Sequence, residues 1–267
     1  MEINEEIIQG ARDRVDRIHD LIENLGQYQL MEQQKDDLGV DTKSSEMDLV
    51  TRVDKESERI ISEWIMENYP EDGILGEEGT HHNSDADYQW IVDPVDGTNN
   101  YAQRFPIFGI SVGIKYQKIG VGGIVHIPAL KEWFVGVKGE GATLNGKTIQ
   151  VGDKTDLIHS LACTGFPYDK GTNKRNNLRE ISALVPQVRG MRRTGCAAFD
   201  LCCVACGRFD IFWEMTLKEW DIAAACVILE EAGAVWKIYQ EEREISIVTG
   251  NESLVQKLMP ILMNSSL

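Results

Sequence analysis

The first seventy residues show the apolar spacing of two amphipathic helices. Apolar residues recur every three or four positions from Ile7 to Leu25, which predicts a helix over residues 4–31. The polar, glycine-containing residues 31–48 follow, and we interpret them as a mobile loop. Helical spacing returns over residues 49–70, where Pro70 is expected to end the second helix.

Short β-prone runs follow the second helix. Residues 73–79 predict a short strand, and a polar loop is expected through His81 and His82. The apolar run from Trp90 to Val92 predicts a buried strand that stops at Pro94, because proline has no N–H for the sheet ladder. The glycine, threonine and asparagine at 97–99 are expected to open a helix. Beyond residue 105, the further strands are predicted from "FGISVGIKY", "VGGIVHIP" and "EWFVGVKG", and a hairpin from "LNGK".

Helices and strands alternate again in the last 110 residues. Strands are predicted at "LACTGFP" and "FDIFWEM", and helices over residues 173–187, at "CAAFDLCCVACG" and at "DIAAACVILEEAG", where Gly233 caps the end. The chain is therefore predicted to be a mixed α/β (α+β) protein with two sheets interleaved with helices.

Composition and charge narrow the function classes. Hydrophobic residues at 42% and charged residues at 26% are typical of a soluble globular protein. The net charge of −16 disfavours direct binding of nucleic acid or of an anionic membrane. No apolar run reaches the roughly 18 residues of a membrane span. The N-terminus is acidic, so a cytoplasmic location is expected.

Acidic residues cluster where strands and helices end. Asp93 and Asp96 follow a predicted strand, a usual place for ligand sites in α/β sheets. Further acids are Asp54, Glu77, Glu78, Glu214 and Asp221. Each has a structural alternative, since Asp221 suits a helix cap and Glu77 suits a solvated loop. Together they suit a pair of Mg²⁺ ions, with Asp93 as a bridge, Asp96 and Glu77 on one ion each, and the Val95 carbonyl. Such a site would hydrolyse phosphate esters.

The segments "DPVDGTNNY" and "WDIAAACVILEEAGA" resemble the two signature motifs of the inositol monophosphatase family of Mg²⁺-dependent, lithium-sensitive phosphatases. Other segments, among them "TGFPYD" and "RRTGCAAFDLCCVACGRFDIFWE", match in the family's order. The likeness runs from about Lys43 to Gly233. It implies a layered αβαβα sandwich of the sugar-phosphatase type, formed by one domain over residues 1–267. Residues 1–150 would form the half with the metal site and residues 151–267 the other half.

The resemblance also implies roles for individual residues. The first Mg²⁺ would be held by Glu77, Asp93 and the Val95 carbonyl, and the second by Asp93, Asp96 and Asp221. Glu77 and Thr98 would orient the attacking water, and Asp54 would support Thr98. Contacts to the phosphate and the alcohol would come from Asp96, Gly97, Thr98, Gly195, Cys196, Ala197, Glu214 and Asp221. Lys43 and its loop would close over the metals and bring a third, weaker Mg²⁺.

The implied activity is Mg²⁺-dependent phosphomonoester hydrolysis with myo-inositol 1-phosphate as substrate and Li⁺ as inhibitor. Fructose 1,6-bisphosphate, histidinol phosphate, NADP and 3′-phosphoadenosine nucleotides are alternative substrates. An alternative of another class is a regulatory protein that docks on transcription machinery. A homodimer is expected. We interpret Cys202, Cys203 and Cys206 as packing residues and expect three tryptophans to form dry walls beside the acids: Trp90, Trp213 and Trp220.

Overall fold

The computed structural model describes residues 3–43, 49–240 and 244–264. Its helices are α1 (Glu5–Gln33), α2 (Arg52–Asn68), α3 (Thr98–Ala102), α4 (Leu178–Leu184), α5 (Ala197–Ala205), α6 (Glu219–Glu231) and α7 (Glu252–Asn264). The first helix follows the predicted stripe closely. The Asn4 side chain caps it by accepting the Ile7 amide at 3.0 Å, and the buried stripe includes Ile18 and Ile22.

The strands form two large sheets and one short hairpin. In chain order they are β1 (Asp41–Thr42), β2 (Leu49–Val50), β3 (Gly73–Gly76), β4 (His81–His82), β5 (Tyr88–Asp96), β6 (Gly109–Tyr116), β7 (Ile119–Ile127), β8 (Glu132–Val137), β9 (Gly141–Leu144), β10 (Lys147–Thr148), β11 (Leu161–Thr164), β12 (Gly190–Arg192), β13 (Ile211–Leu217), β14 (Val235–Gln240) and β15 (Ile245–Gly250). The eight-stranded sheet has the order β10-β9-β8-β7-β6-β5-β3-β4, and the five-stranded sheet has the order β12-β11-β13-β15-β14.

The three largest apolar cores of the described residues hold five layers together. The first core lies between α1, α2 and one face of the eight-stranded sheet. The second joins the opposite face of that sheet to α5, α6 and the five-stranded sheet. The third lies between the five-stranded sheet and the helices α4 and α7. The predicted αβαβα sandwich is confirmed, and the middle layer of α5 and α6 lies between the sheets.

A row of glycines on the central strands allows α6 to approach the eight-stranded sheet closely. A Cβ atom at Gly113 would lie 2.7 Å from the Ala223 Cβ, and one at Gly123 would lie 2.3 Å from the Ala224 carbonyl oxygen. At Gly136 the nearest atom would be the Ile228 Cα, at 3.0 Å. Since these distances leave little or no room for a side chain, the glycines determine where α6 sits.

The prediction that a strand stops at Pro94 is wrong. Strand β5 continues to Asp96, with an irregular register against β6: Asp93 pairs with Ser111, and the next pair joins Asp96 to Gly109. Pro94 lies in this irregular stretch, where the missing N–H does not interrupt a regular ladder. The Pro94 carbonyl instead accepts the Gln29 side-chain amide at 2.9 Å.

Several predicted boundaries also differ. The loop predicted over residues 31–48 begins inside α1 and includes β1, which pairs with β2; residues 44–48 lie outside the described residues. The helix predicted over residues 173–187 is shorter, since α4 spans Leu178–Leu184. His81 and His82 are exposed as expected, but they form the edge strand β4 rather than a loop.

Candidate active site

The acids predicted at strand ends meet at one edge of the eight-stranded sheet. Strands β3 and β5 are parallel, with Gly76 opposite Val92, and the Glu77 amide donates to the Val92 carbonyl at 3.1 Å. Glu77 and Asp93, the residues that come next, are therefore neighbours. Burial raises the pKa of Asp93 well above its usual range, and repulsion from Glu77, Asp96 and Asp221 adds to this. The carboxylates are thus close enough to repel one another strongly.

Asp96 connects the strand end to the start of α5. Its carboxylate accepts the Ala197 amide at 3.2 Å, the Ala198 amide at 2.5 Å and the Cys196 thiol at 3.2 Å. Burial raises the pKa of Asp96 to about 6, although these three donors act to lower it. The start of α5 is thereby held against the acid cluster.

Gly97 brings two predicted groups of site residues together. It precedes α3 with φ of +88°, a left-handed conformation that favours glycine. A Cβ atom there would lie 3.2 Å from both the Gly195 carbonyl oxygen and the Cys196 Cβ. Asn100 fastens the same contact, because its side-chain amide donates to the Thr194 carbonyl at 2.9 Å.

Asp54 and Thr98 form the predicted pair. The Thr98 hydroxyl lies 2.9 Å from Asp54 Oδ1 and 3.1 Å from the Val95 carbonyl oxygen. Asp54 also accepts the Thr51 amide at 3.0 Å, which completes a capping box at the start of α2. Burial raises the pKa of Asp54 to about 6, whereas the hydrogen bonds from Thr51 and Thr98 act to lower it.

Asp221 both caps α6 and faces the cluster. The helix begins two residues earlier than predicted, at Glu219, and the Asp221 carboxylate accepts the Lys218 amide at 2.7 Å. Burial raises the pKa of Asp221, and repulsion from Asp96 and Glu77 adds to this rise. The structural alternative for Asp221 and its predicted place among the acids are therefore compatible.

Glu214 enters from the second sheet. It projects from β13 beside Gly165, where a Cβ atom would lie only 1.9 Å from Glu214 Oε1. Burial raises the pKa of Glu214 well above its usual range. Repulsion from Asp200, Asp221 and Asp96 adds to the rise, and attraction by Arg193 opposes it. The Glu214 carboxylate is thus close enough to Asp96 and Asp221 to be repelled by them.

Lys43 supplies a positive charge to this region. Its ammonium group donates to Glu77 at 2.8 Å and also binds Glu78. Burial favours the neutral amine, but attraction by the two glutamates prevails and raises the pKa of Lys43. Within residues 3–43, 49–240 and 244–264, no three acidic, histidine or cysteine side chains are arranged to coordinate a metal ion. The Glu77 carboxylate is instead paired with the Lys43 ammonium group.

The donor set nevertheless fits a hard divalent cation. Carboxylate oxygens and a backbone carbonyl are the ligands that Mg²⁺ prefers, and the raised pKa values of Asp93, Asp96 and Asp221 reflect buried negative charge. Divalent cations bound between these carboxylates would relieve the repulsion among them. The cysteines at α5 do not belong to this set of ligands, because Cys202 and Cys203 are buried in the second core and Cys206, which directly follows the helix, is half-buried against it.

Sequence reasoning missed three polar residues that support the site. Gln29 holds the Pro94 carbonyl, and Asp200 accepts the Thr194 hydroxyl at 2.5 Å next to Gly195. Glu58 accepts two backbone amides of the segment that follows Glu77. A signal for Glu58 existed, since it lies three residues before Ile61 and seven before Ile65 on the buried stripe of α2.

The expectation about tryptophans is wrong for two of the three. The Trp90 indole donates to Asp72 at 2.7 Å and packs with Trp64 and Tyr69 in the first core. The Trp213 indole donates to Asn177 at 2.7 Å and belongs to the third core. Both rings therefore stabilise the layers rather than wall the acids. Trp220 is half-buried and directly precedes Asp221.

Comparison with known proteins identifies related sequences. A family model described as the inositol monophosphatase family matches residues 10–262. The chain is 41% identical over 210 residues to the fructose-1,6-bisphosphatase/inositol-1-monophosphatase of Aquifex aeolicus, which covers 78% of this chain and 80% of the relative. It is 37% identical over 221 residues to the Nus factor SuhB of Pseudomonas aeruginosa, with 79% and 82% covered.

Solved structures show the same fold. The extragenic suppressor protein suhB of Bartonella henselae aligns with a TM-score of 0.87 at 31% identity, over 94% of this chain and 98% of that one. The inositol monophosphatase of Anabaena aligns with a TM-score of 0.83 at 32% identity, over 96% and 97%. No described helix is both long and apolar enough to cross a membrane.

Proposed function

The chain belongs to the inositol monophosphatase family, as its motifs predicted, and we propose that it is a Mg²⁺-dependent phosphatase that hydrolyses myo-inositol 1-phosphate or a closely similar polyol phosphate. The observation that carries this proposal is the convergence of Glu77, Asp93, Asp96 and Asp221 from three separate segments, so that their carboxylates repel one another. Such a concentration of negative charge, of which Lys43 neutralises only part, is unfavourable unless further cations compensate it. The names of relatives that include inositol-1-monophosphatase support the substrate class.

We assign the metal ligands as the resemblance implied them. One Mg²⁺ would be held by Glu77, Asp93 and the Val95 carbonyl, and a second by Asp93, Asp96 and Asp221. Bound Mg²⁺ would supply the positive charge and Lewis acidity that transfer of a phosphoryl group to water requires. The Lys43 ammonium would have to leave the Glu77 carboxylate for a metal ion to bind there, so Lys43 would act as a counter-ion that the metal displaces.

The chain's own groups would orient the attacking water. The Thr98 hydroxyl has a single proton, and it donates this proton in a hydrogen bond to the Asp54 carboxylate at 2.9 Å. The Thr98 hydroxyl oxygen then remains available to accept one hydrogen bond from the attacking water, while the Glu77 carboxylate accepts the second. The water's oxygen lone pair would thereby point towards the phosphorus.

The opposite side of the site would select the alcohol. The Glu214 carboxylate accepts hydrogen bonds, so the hydroxyls of a polyol are suitable partners. Gly195, Cys196 and Ala197 would line the same side, and the Gly97 and Thr98 amides would receive phosphate oxygens. A cytoplasmic homodimer remains a prediction.

The decisive experiment is release of phosphate from myo-inositol 1-phosphate by purified protein. We expect activity that requires Mg²⁺ and is suppressed by Li⁺. Asp93→Asn should abolish turnover while the protein stays folded, because it removes the proposed bridging charge and also relieves repulsion. Full activity in EDTA, or a fully active Asp93→Asn protein, would refute the proposed function.

A second function is favoured by one observation. Relatives from several bacteria, 35% to 41% identical to this chain, are named Nus factor SuhB. A regulatory contact with transcription machinery could coexist with the enzyme activity or replace it. Affinity capture with wild-type and Asp93→Asn protein tests this: recovery of transcription proteins with both, in the absence of phosphatase activity, would favour the regulatory function.

A further inference from the structure

Glu58 makes an unusual pair of contacts one turn beyond Asp54 on α2. Its side chain is buried, and its two oxygens each accept one backbone amide: Oε2 accepts Glu78 N–H at 2.7 Å, and Oε1 accepts Thr80 N–H at 2.8 Å. Among the residues that the structure describes, no lysine or arginine pairs with this carboxylate. Its hydrogen-bonding capacity is therefore directed at the segment that follows β3.

The segment is shaped to receive that carboxylate. Gly76 lies against it so closely that a Cβ atom would be 2.4 Å from Glu58 Cδ. Gly79, between the two bound amides, has φ of +109°, a conformation that glycine adopts readily. Glu77 lies between Gly76 and the first bound amide, so its backbone is fixed from both sides.

We propose that Glu58 is a positioning residue that fixes the proposed metal ligand Glu77. This inference rests on the proposed function. Because Asp54 and Glu58 are four residues apart, they lie on one face of α2. Through Asp54 this helix holds Thr98, and through Glu58 it holds Glu77. The two groups that would orient the attacking water thus take their positions from one rigid element, which the buried Ile61 and Ile65 anchor to the first core.

Glu58→Gln tests the proposal with little change of volume. The amide can accept one N–H, but its NH₂ group would face the other donor. We expect the Mg²⁺ concentration for half-maximal activity to rise about 10-fold or more, the scale of one lost hydrogen bond to a charged acceptor. The KM for myo-inositol 1-phosphate at saturating Mg²⁺ should stay within about 2-fold, because the substrate contacts are untouched.

Direct metal binding supplies a readout independent of turnover. The metal-free wild type and Glu58→Gln would each be titrated with Mn²⁺ and followed by electron paramagnetic resonance. The dissociation constant for Mn²⁺ should be higher in the variant, by a factor similar to the rise in the Mg²⁺ requirement. The matched control is Glu63→Gln, since Glu63 lies on the exposed side of α2 in an ion pair with Arg59. It should match wild type in both measurements.

The outcomes separate this inference from the proposed function. A wild-type protein without Mg²⁺-dependent phosphatase activity contradicts the proposed function. An active wild type with a Glu58→Gln variant that is merely less stable, and unchanged in metal response, overturns the role of Glu58 alone. If the variant does not fold, amide exchange in the metal-free wild type decides: protection of the Glu78 and Thr80 amides supports the proposal, and rapid exchange of both overturns it.

Discussion

Replacement of Thr98 by alanine tests the proposed orientation of water most directly. The Thr98 hydroxyl lies within hydrogen-bond distance of the Asp54 carboxylate and of the Val95 carbonyl, at 2.9 and 3.1 Å, and it has one proton for both. The charged acceptor is the stronger one, so the hydroxyl oxygen is left as an acceptor for water. Thr98→Ala removes this acceptor without adding charge or volume.

The size of the effect can be worked out for stability and for catalysis. Loss of a donor to a buried carboxylate costs about 1–3 kcal/mol. In a protein of this size each kcal/mol lowers the melting temperature by about 2–4 °C. Loss of a group that positions the nucleophile lowers kcat by roughly 10²–10⁴, and KM should change little because Thr98's hydroxyl does not hold the alcohol.

The assay is the initial rate of phosphate release over a range of myo-inositol 1-phosphate concentrations at saturating Mg²⁺. Thr98→Ser is the matched control, since it keeps the hydroxyl and loses only a methyl group. We expect Thr98→Ser to retain most of the kcat that Thr98→Ala loses. The reasoning is refuted if Thr98→Ala has a normal kcat with a raised KM, or if the serine variant is as slow as the alanine variant.

Three further predictions concern specificity, pH and cysteine chemistry. Glu214→Gln should lower kcat/KM for myo-inositol 1-phosphate about 10-fold or more and spare p-nitrophenyl phosphate, which has no hydroxyls; equal losses on both would mean that Glu214 supports the metal site. Burial raises the pKa of Asp54 to about 6 and that of Asp200 to about 7. Both therefore hold protons in the folded protein after the unfolded chain has released them, so the metal-free protein should lose stability as the pH rises from about 4 to about 7. Melting temperatures that increase over this interval would contradict the assignment. The protein should carry no stoichiometric zinc or iron, because Cys202, Cys203 and Cys206 serve packing. Elemental analysis that finds one tightly bound soft metal per chain would contradict this.

The proximity of Glu77 and Asp93 could be predicted because both residues stand at the ends of predicted strands, and parallel strands bring their carboxyl ends to one edge of a sheet. The error at Pro94 arose because the rule for proline is local, whereas an irregular register against β6 makes the missing N–H harmless. Glu58 and Asp200 could not be recognised reliably, since a glutamate or aspartate on a helix is usually solvated. Only the folded structure shows that backbone amides and a threonine hydroxyl take the place of water.

The glycine row beneath α6 has a consequence for mutational tolerance. Asp221 lies in the first turn of α6, and the position of that turn depends on the contacts of Gly113, Gly123 and Gly136. A saturation screen scored by turnover should therefore return inactive alleles in the middle of the sheet, at positions with no functional group. Such alleles would mimic the loss of a metal ligand. For a substitution at Gly113, suppressors should arise on the facing side of α6, where Ala223→Gly would remove the Cβ atom that lies nearest and restore part of the lost space.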